Sequence, residues 1–226
     1  MKAFVINGSP KGERSDTLKV TKAFLEGLEA EYEILDISRH PIKECLGCHA
    51  CWYRTPGSCI QDDDMRLILD GIRSADLVIW SFPLYCYGMP SQAKAAVDRL
   101  MPLSSPVQYV NAEGKTCHPT TKPLPARHML ISGCGFPQYE HNYEPLIMQF
   151  GLAFGSGFAR ITALECPLLS VPEAKSLADG YLALARKAGQ EFKENGAIAE
   201  DTQKALDGPM FDPDTYRRMA SATARA

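Results

Sequence analysis

No apolar run in this chain approaches the roughly twenty residues that cross a bilayer, so no transmembrane helix is expected. Met1-Lys2-Ala3 leads straight into a strand-like segment, which leaves no room for a separate signal-peptide core and cleavage site. A cytoplasmic protein with no membrane partner is expected. Positive charge is not in excess either: 24 Lys and Arg stand against 27 Asp and Glu, a net charge of -3, and no basic stretch is interleaved with aromatics. Nothing here draws the chain to nucleic acid. Two familiar phosphate loops are also missing. There is no G-x-x-x-x-G-K-[ST], and no G-x-G-x-x-G follows a strand, which disfavours a nucleoside triphosphate or a dinucleotide and leaves a mononucleotide.

What the chain does contain is organised around its first eighteen residues. Lys2 to Asn7 is short, apolar and rich in β-branched and aromatic side chains, as a buried strand should be. Gly8-Ser9-Pro10-Lys11-Gly12 must be a loop, and from Ser15 the apolar spacing turns helical through Leu18, Phe24, Leu25 and Leu28. A strand, a small-residue loop and a helix start together form an anion site. The first-turn N–H groups lack internal partners, the helix dipole favours negative charge, and Ser9, Ser15 and Thr17 add hydroxyl donors. One phosphate monoester fits such a cradle. An ordinary turn capped by Ser15 or Asp16 is the simpler alternative, and the loop's length and hydroxyl density weigh against it.

Further strands are expected at residues 32–37, 76–82, 128–132 and 158–164, alternating with helices near 62–72, 91–100, 143–154 and 172–195. This alternation predicts a doubly wound α/β fold, a five-stranded parallel sheet of flavodoxin-like order 2-1-3-4-5 with helices on both faces. Residues 1–195 are read as one domain. Residues 102–125, with five prolines, are an insertion, and 196–226 a polar tail that packs loosely, caps a partner subunit or is partly disordered. In such sheets ligands gather beyond the carboxyl ends of the strands, where the loops 8–17, 83–90 and 133–137 would converge. Pro83, Leu84, Tyr85 and Tyr87 offer backbone and aromatic contacts to a flat ring, and Gly88 lets the backbone come close.

Eight cysteines in a chain of this size and compartment point to metal, redox or buried-thiol roles rather than disulfides. Cys45, Cys48, Cys51 and Cys59 stand at C-x2-C-x2-C-x7-C within the loop 40–60. Their spacing suits a four-iron cluster, a redox-active or structural thiol loop, or four-cysteine zinc, and all three readings stay open. His49, inside the loop, is read as a hydrogen-bonded histidine rather than a ligand. Cys86, Cys117, Cys134 and Cys166 show no ligand spacing and are read as buried or idle thiols.

Three motifs carry a resemblance: G-S-P-K-G-E-R-S-D-T after the first strand, P-L-Y-C-Y-G-M-P-S-Q-A-K-A-A-V-D-R after the third, and C-L-G-C-H-A-C-W before D-D-D-M. Over about Met1 to Leu103 the chain resembles the flavodoxin-like NAD(P)H-dependent FMN reductases, a family that includes the iron-sulfur flavoproteins. The resemblance implies FMN, with its phosphate on Ser9, Lys11, Ser15, Asp16 and Thr17 and its isoalloxazine against Pro83, Leu84, Tyr85, Cys86, Tyr87 and Gly88. It implies NAD(P)H as electron donor, a quinone, flavin or other small acceptor, and assembly as a homodimer or homotetramer. The family often has Asn where this chain has Asp16, so Asp16 is expected to offer its backbone N–H and turn its side chain away. No protein acid or base is required, and no catalytic residue is assigned. The alternative is an iron-sulfur electron carrier between redox protein partners, with a four-iron four-sulfur cluster on Cys45, Cys48, Cys51 and Cys59. His118 and Tyr109, in the insertion, are expected to border the space over the flavin.

Overall fold

Five segments of the chain pair side by side into one parallel sheet. The computed structural model describes residues 1–112, 114–121, 124 and 127–223. Its strands are β1 (Lys2–Asn7), β2 (Glu31–Asp36), β3 (Leu77–Pro83), β4 (Tyr109–Val110), β5 (Thr116–Cys117), β6 (Arg127–Gly133) and β7 (Ala159–Ala163). The sheet order is β2-β1-β3-β6-β7, every neighbour parallel, with β4 and β5 forming a separate antiparallel hairpin. Counting the sheet strands alone, this is the expected order 2-1-3-4-5. β1 and β3 are central and buried on both faces, hence their unbroken apolar runs; β2 is an edge, and Glu31, Tyr32 and Glu33 lie exposed along it.

The helices are α1 (Asp16–Leu28), α2 (Ala50–Tyr53), α3 (Met65–Ser74), α4 (Ser91–Asp98), α5 (Glu144–Phe154), α6 (Lys175–Asn195), α7 (Glu200–Leu206) and α8 (Pro213–Thr223). Because side chains alternate across a strand, β1 divides its apolar residues between two cores. Ala3 and Val5 join Phe24, Leu25, Ala185 and Phe192 of α1 and α6. Phe4 and Ile6 join Ile68, Ile72, Trp80, Ala96 and Phe150 from α3, β3, α4 and α5. α1 and α6 touch backbone to backbone. A Cβ on Gly27 would stand 1.9 Å from the Arg186 carbonyl oxygen, and one on Gly189 2.1 Å from that of Phe24.

Two segments read from composition carry regular structure. The insertion contains the β4–β5 hairpin and begins in a short 3-10 turn, Met101–Leu103; its residues 113, 122, 123 and 125 lie outside the described residues, as do 224–226 of the tail. Of the three alternatives for the tail, the start of it packs firmly on the domain. Leu206 is fully buried, Tyr181 donates its hydroxyl to the Leu206 carbonyl at 3.1 Å, and Asp207 accepts from Arg160 at 2.8 Å and from Thr162. Its few apolar residues suffice because α6 and the end of β7 offer them a face.

Candidate functional site

The loop between β1 and α1 is held from within. Asn7, fully buried at the end of β1, donates from Nδ2 to the Gly12 carbonyl at 3.1 Å and accepts the Ser9 amide at 3.3 Å. Gly12 has φ +57, and a Cβ there would fall 2.6 Å from Asp36 Oδ2, so the turn depends on glycine. Ser15 caps α1 by accepting the Leu18 amide at 3.4 Å. The amides of Asp16 and Thr17 precede any intrahelical acceptor, so the helix end presents donors to the loop's mouth.

Asp16 departs from the sequence expectation in one respect. Its carboxylate is not simply turned away but is held by Lys19 at 3.1 Å, Lys11 at 3.5 Å and the Ser170 hydroxyl. The two ammonium groups offset the charge that would repel an anion beside it.

Beyond β3 the chain makes a tight two-residue turn. Tyr85 and Gly88 exchange both backbone hydrogen bonds, at 3.0 and 2.9 Å, and Cys86 and Tyr87 between them have φ +47 and +63. That is the left-handed pair Asn-Gly normally fills, so two bulkier residues hold a strained turn here. Tyr85 and Tyr87 are left half exposed at its rim.

A cavity of about 180 Å³ lies at these strand ends, lined by Ser9, Lys11, Ser15, Asp16, Thr17, Pro83, Leu84 and Tyr85, with Gly133, Cys134, Gly135, Cys166 and Pro167 opposite. It brings together the five residues of the expected phosphate loop and three of the six expected beside a ring. Cys86, Tyr87 and Gly88 stand beside it on the turn and do not line it. The residues after β6 and β7 carried one usable signal, their position at strand ends; Cys134 and Cys166 look like ordinary core thiols by composition. They are buried, and burial pushes the Cys166 thiol up to about 12. Gly133 keeps the floor thin, since a Cβ there would meet Cys166 Sγ at 2.4 Å. Tyr109 and His118 do not reach this cavity. The His118 ring packs 5.0 Å from that of Trp52 and borders a different cavity with His128 and Phe154.

The four spaced cysteines come together elsewhere. Cys45, Cys48, Cys51 and Cys59 all line one small cavity with His49, Asp98, Arg99 and Met101. Burial raises the Cys51 thiol first, and the neighbouring Cys59, Cys48 and Cys45 raise it further. Among the described residues no group of three or more His, Cys, Asp or Glu side chains is arranged to hold a metal ion. Four thiols lining one cavity are nonetheless the donor set by which a four-iron cluster is held. His49 stacks on Trp52 at 5.4 Å, and Trp52 donates to the Met101 carbonyl at 3.1 Å.

An open parallel sheet with its cavity at the carboxyl ends of the central strands defines a flavodoxin-like α/β protein. Residues 1–118 match the model of the NADPH-dependent FMN reductase family, and the chain belongs to that family. An iron-sulfur flavoprotein of Methanocaldococcus jannaschii is 34% identical over 118 residues, covering 50% of this chain and 59% of that protein. One of Methanosarcina thermophila is 37% identical over 103 residues, covering 44% and 52%. The chain spans about half the length of the curated relatives it matches. In fold it is similar to an FMN-dependent NADH-azoreductase of Bacillus anthracis, solved in complex with FMN, with a TM-score of 0.61 at 17% identity over 85% of this chain and 99% of that one.

Proposed function

We propose that this protein is an FMN-dependent oxidoreductase that passes electrons from NADH or NADPH to a quinone, flavin or other small acceptor. The observation that carries this reading is the strand-end cavity, which joins an anion cradle to an apolar, tyrosine-edged ledge. Ser9, Lys11, Ser15, Asp16 and Thr17 hold the phosphate, and Pro83, Leu84, Tyr85, Cys86, Tyr87 and Gly88 flank the ring. When bound, FMN supplies two-electron acceptance from the nicotinamide donor and onward transfer to the acceptor. The chain's own work is placement. The cradle fixes one end of the ligand through amides, hydroxyls and Lys11, and the exposed turn leaves one side of the ledge open to donor and acceptor. No helix of the described residues is long and apolar enough to cross a membrane, and eight free thiols suit a reducing cytoplasm. Met148 and Leu152, 70% and 60% exposed on the outer side of α5, support assembly as a homodimer or homotetramer.

The direct test is a titration of flavin-free protein with FMN and with riboflavin, followed by NADH and NADPH oxidation with a quinone. FMN binds stoichiometrically, and Lys11→Ala weakens FMN by roughly ten- to a hundredfold while sparing riboflavin, because a charged hydrogen bond to phosphate is worth about 1.5–3 kcal/mol. Binding no tighter than high micromolar, or equal loss for both ligands, overturns the assignment.

A second reading, an iron-sulfur flavoprotein carrying electrons between protein partners, is favoured by the four cysteines that line one cavity. Iron measured in protein purified without oxygen, and acceptance of electrons from ferredoxin, distinguish it from a reductase.

A further inference from the structure

Arg99 caps the end of α4, and its side chain is 1% exposed. Such burial requires that every donor be accounted for. Nη1 donates to the Lys43 carbonyl at 3.0 Å and to Asp63 Oδ2; Nη2 donates to Asp63 Oδ1 at 2.9 Å and to Cys59 Sγ at 3.3 Å. Asp63 in turn accepts the amides of Lys43 at 3.0 Å and Met65 at 3.2 Å. One guanidinium therefore ties together Lys43, two residues before the first spaced cysteine, and Asp63, four residues after the last. The 43–63 loop is closed on itself by this clip.

One donor remains. Arg99 Nε is buried and has no partner among the described residues, and Arg99 belongs to the lining of the cavity that the four cysteines share. Asp63 already pairs the cation, so the guanidinium is tolerated when the cavity is neutral, but its Nη2 donation to Cys59 and its unpartnered Nε gain when the cavity holds negative charge. Four thiolates and the sulfides of an iron-sulfur core carry such charge. Potentials of these centres are set by net charge and by hydrogen bonds to sulfur.

Resting on the iron-sulfur reading above, we propose that Arg99 is the positioning residue of that centre: it clips the cysteine loop shut around the cluster, donates to Cys59 and compensates the cluster's charge, while Asp63 orients and partly neutralises it. The geometry also sets signs. Removing the cation disfavours the reduced, more negative cluster, and removing the Asp63 charge leaves the cation stronger and favours it.

The full-length chain, purified and reconstituted with iron and sulfide without oxygen, is compared with Arg99→Gln, Arg99→Lys and Asp63→Asn. Iron per chain, the rate of iron loss to a chelator and the cluster midpoint by EPR-monitored titration are read, with bound FMN as the control for folding. Arg99→Gln loses iron about tenfold faster or more, the scale of outer-shell substitutions, and its midpoint moves more negative. Arg99→Lys, lacking the fork but keeping the charge, loses iron similarly with a smaller midpoint shift. Asp63→Asn moves the midpoint less negative, a sign that general destabilisation does not produce. Should Arg99→Gln take up no iron, the Asp63→Asn shift alone decides. Iron-loaded variants with unmoved midpoints and unchanged iron loss overturn the role of Arg99 alone. A wild-type chain that holds FMN but no iron, or zinc instead, overturns the iron-sulfur reading and this proposal with it.

Discussion

His128 shows how a single buried group records its surroundings. It stands near the start of β6, where Trp80 Nε1 donates to its Nδ1 at 3.2 Å and Phe154 stacks on it at 4.3 Å. Burial lowers its ionisation to about 4 from an ordinary 6.5. Nδ1 must keep a lone pair for the indole, so the proton of the neutral ring sits on Nε2. The sign follows from linkage. Between those two values the unfolded chain binds a proton that the native state refuses, so stability is lost as pH falls through that window. The loss is on the order of 2 kcal/mol after discounting the partial exposure of the ring. Thermal melts are therefore expected to drop on acidification from pH 7 to pH 4.5, and to drop less in His128→Phe. Equal pH dependence in both proteins would count against the assignment. Asp63 is the contrasting residue. Burial alone would raise its carboxyl, but Arg99 and the amides of Lys43 and Met65 hold it below its ordinary value.

At the scale of elements, the turn after β3 concentrates the strain of the site. Left-handed conformations at Cys86 and Tyr87 cost about 1–3 kcal/mol each and persist where function holds them. Replacing the pair by Asn-Gly is expected to stabilise the fold by about 1–2 kcal/mol while weakening flavin retention, because the Tyr87 ring is lost from the rim. Denaturant melts and FMN titration of Cys86→Asn/Tyr87→Gly check both halves, and a gain in stability with unchanged FMN binding would remove the turn from the site. This turn also marks where sequence reasoning stopped. β1 and β3 were legible because a strand buried on both faces must be continuously apolar. The phosphate loop was legible because glycine, proline and hydroxyls crowd between a strand and a helix. Backbone φ at Cys86 and Tyr87 has no such signature, and nothing in their side chains announces it. The β4–β5 hairpin escaped because two-residue strands carry no periodicity, and Arg99 escaped because its partners lie 36 to 56 residues away. The lining supplied by Cys134 and Cys166 was foreseeable only as a strand-end position.

For the whole molecule, α4 sets the relation between the two candidate centres. Its first turn packs against the anion loop, where a Cβ on Gly8 would meet Ala93 at 2.9 Å, and its capping residue Arg99 borders the thiol cavity. Eight helical residues at about 1.5 Å each place roughly 12 Å between these ends. The two cavities share no lining residue, so each can be altered without emptying the other. A third surface, away from both cavities, bears on the proposed assembly. α5 buries Leu146 and Phe150 against the sheet and turns Met148 and Leu152 outward, with Val110 of the hairpin also exposed. Lys115 reaches across to donate to the Leu152 carbonyl, which fixes the hairpin beside that helix. A mostly apolar outer face of this kind is what a homodimer or homotetramer covers. Met148→Glu/Leu152→Glu places two carboxylates there. Because both side chains are already exposed, the fold itself should change by no more than about 0.5 kcal/mol per site. Light scattering is expected to show the wild type as a multiple of 24.9 kDa and the variant as a single chain. A wild type that is already monomeric, or a variant of unchanged mass, would remove α5 from the interface. If FMN retention falls together with the mass, the second copy completes the flavin pocket; if it holds, the strand-end cavity of one chain is sufficient.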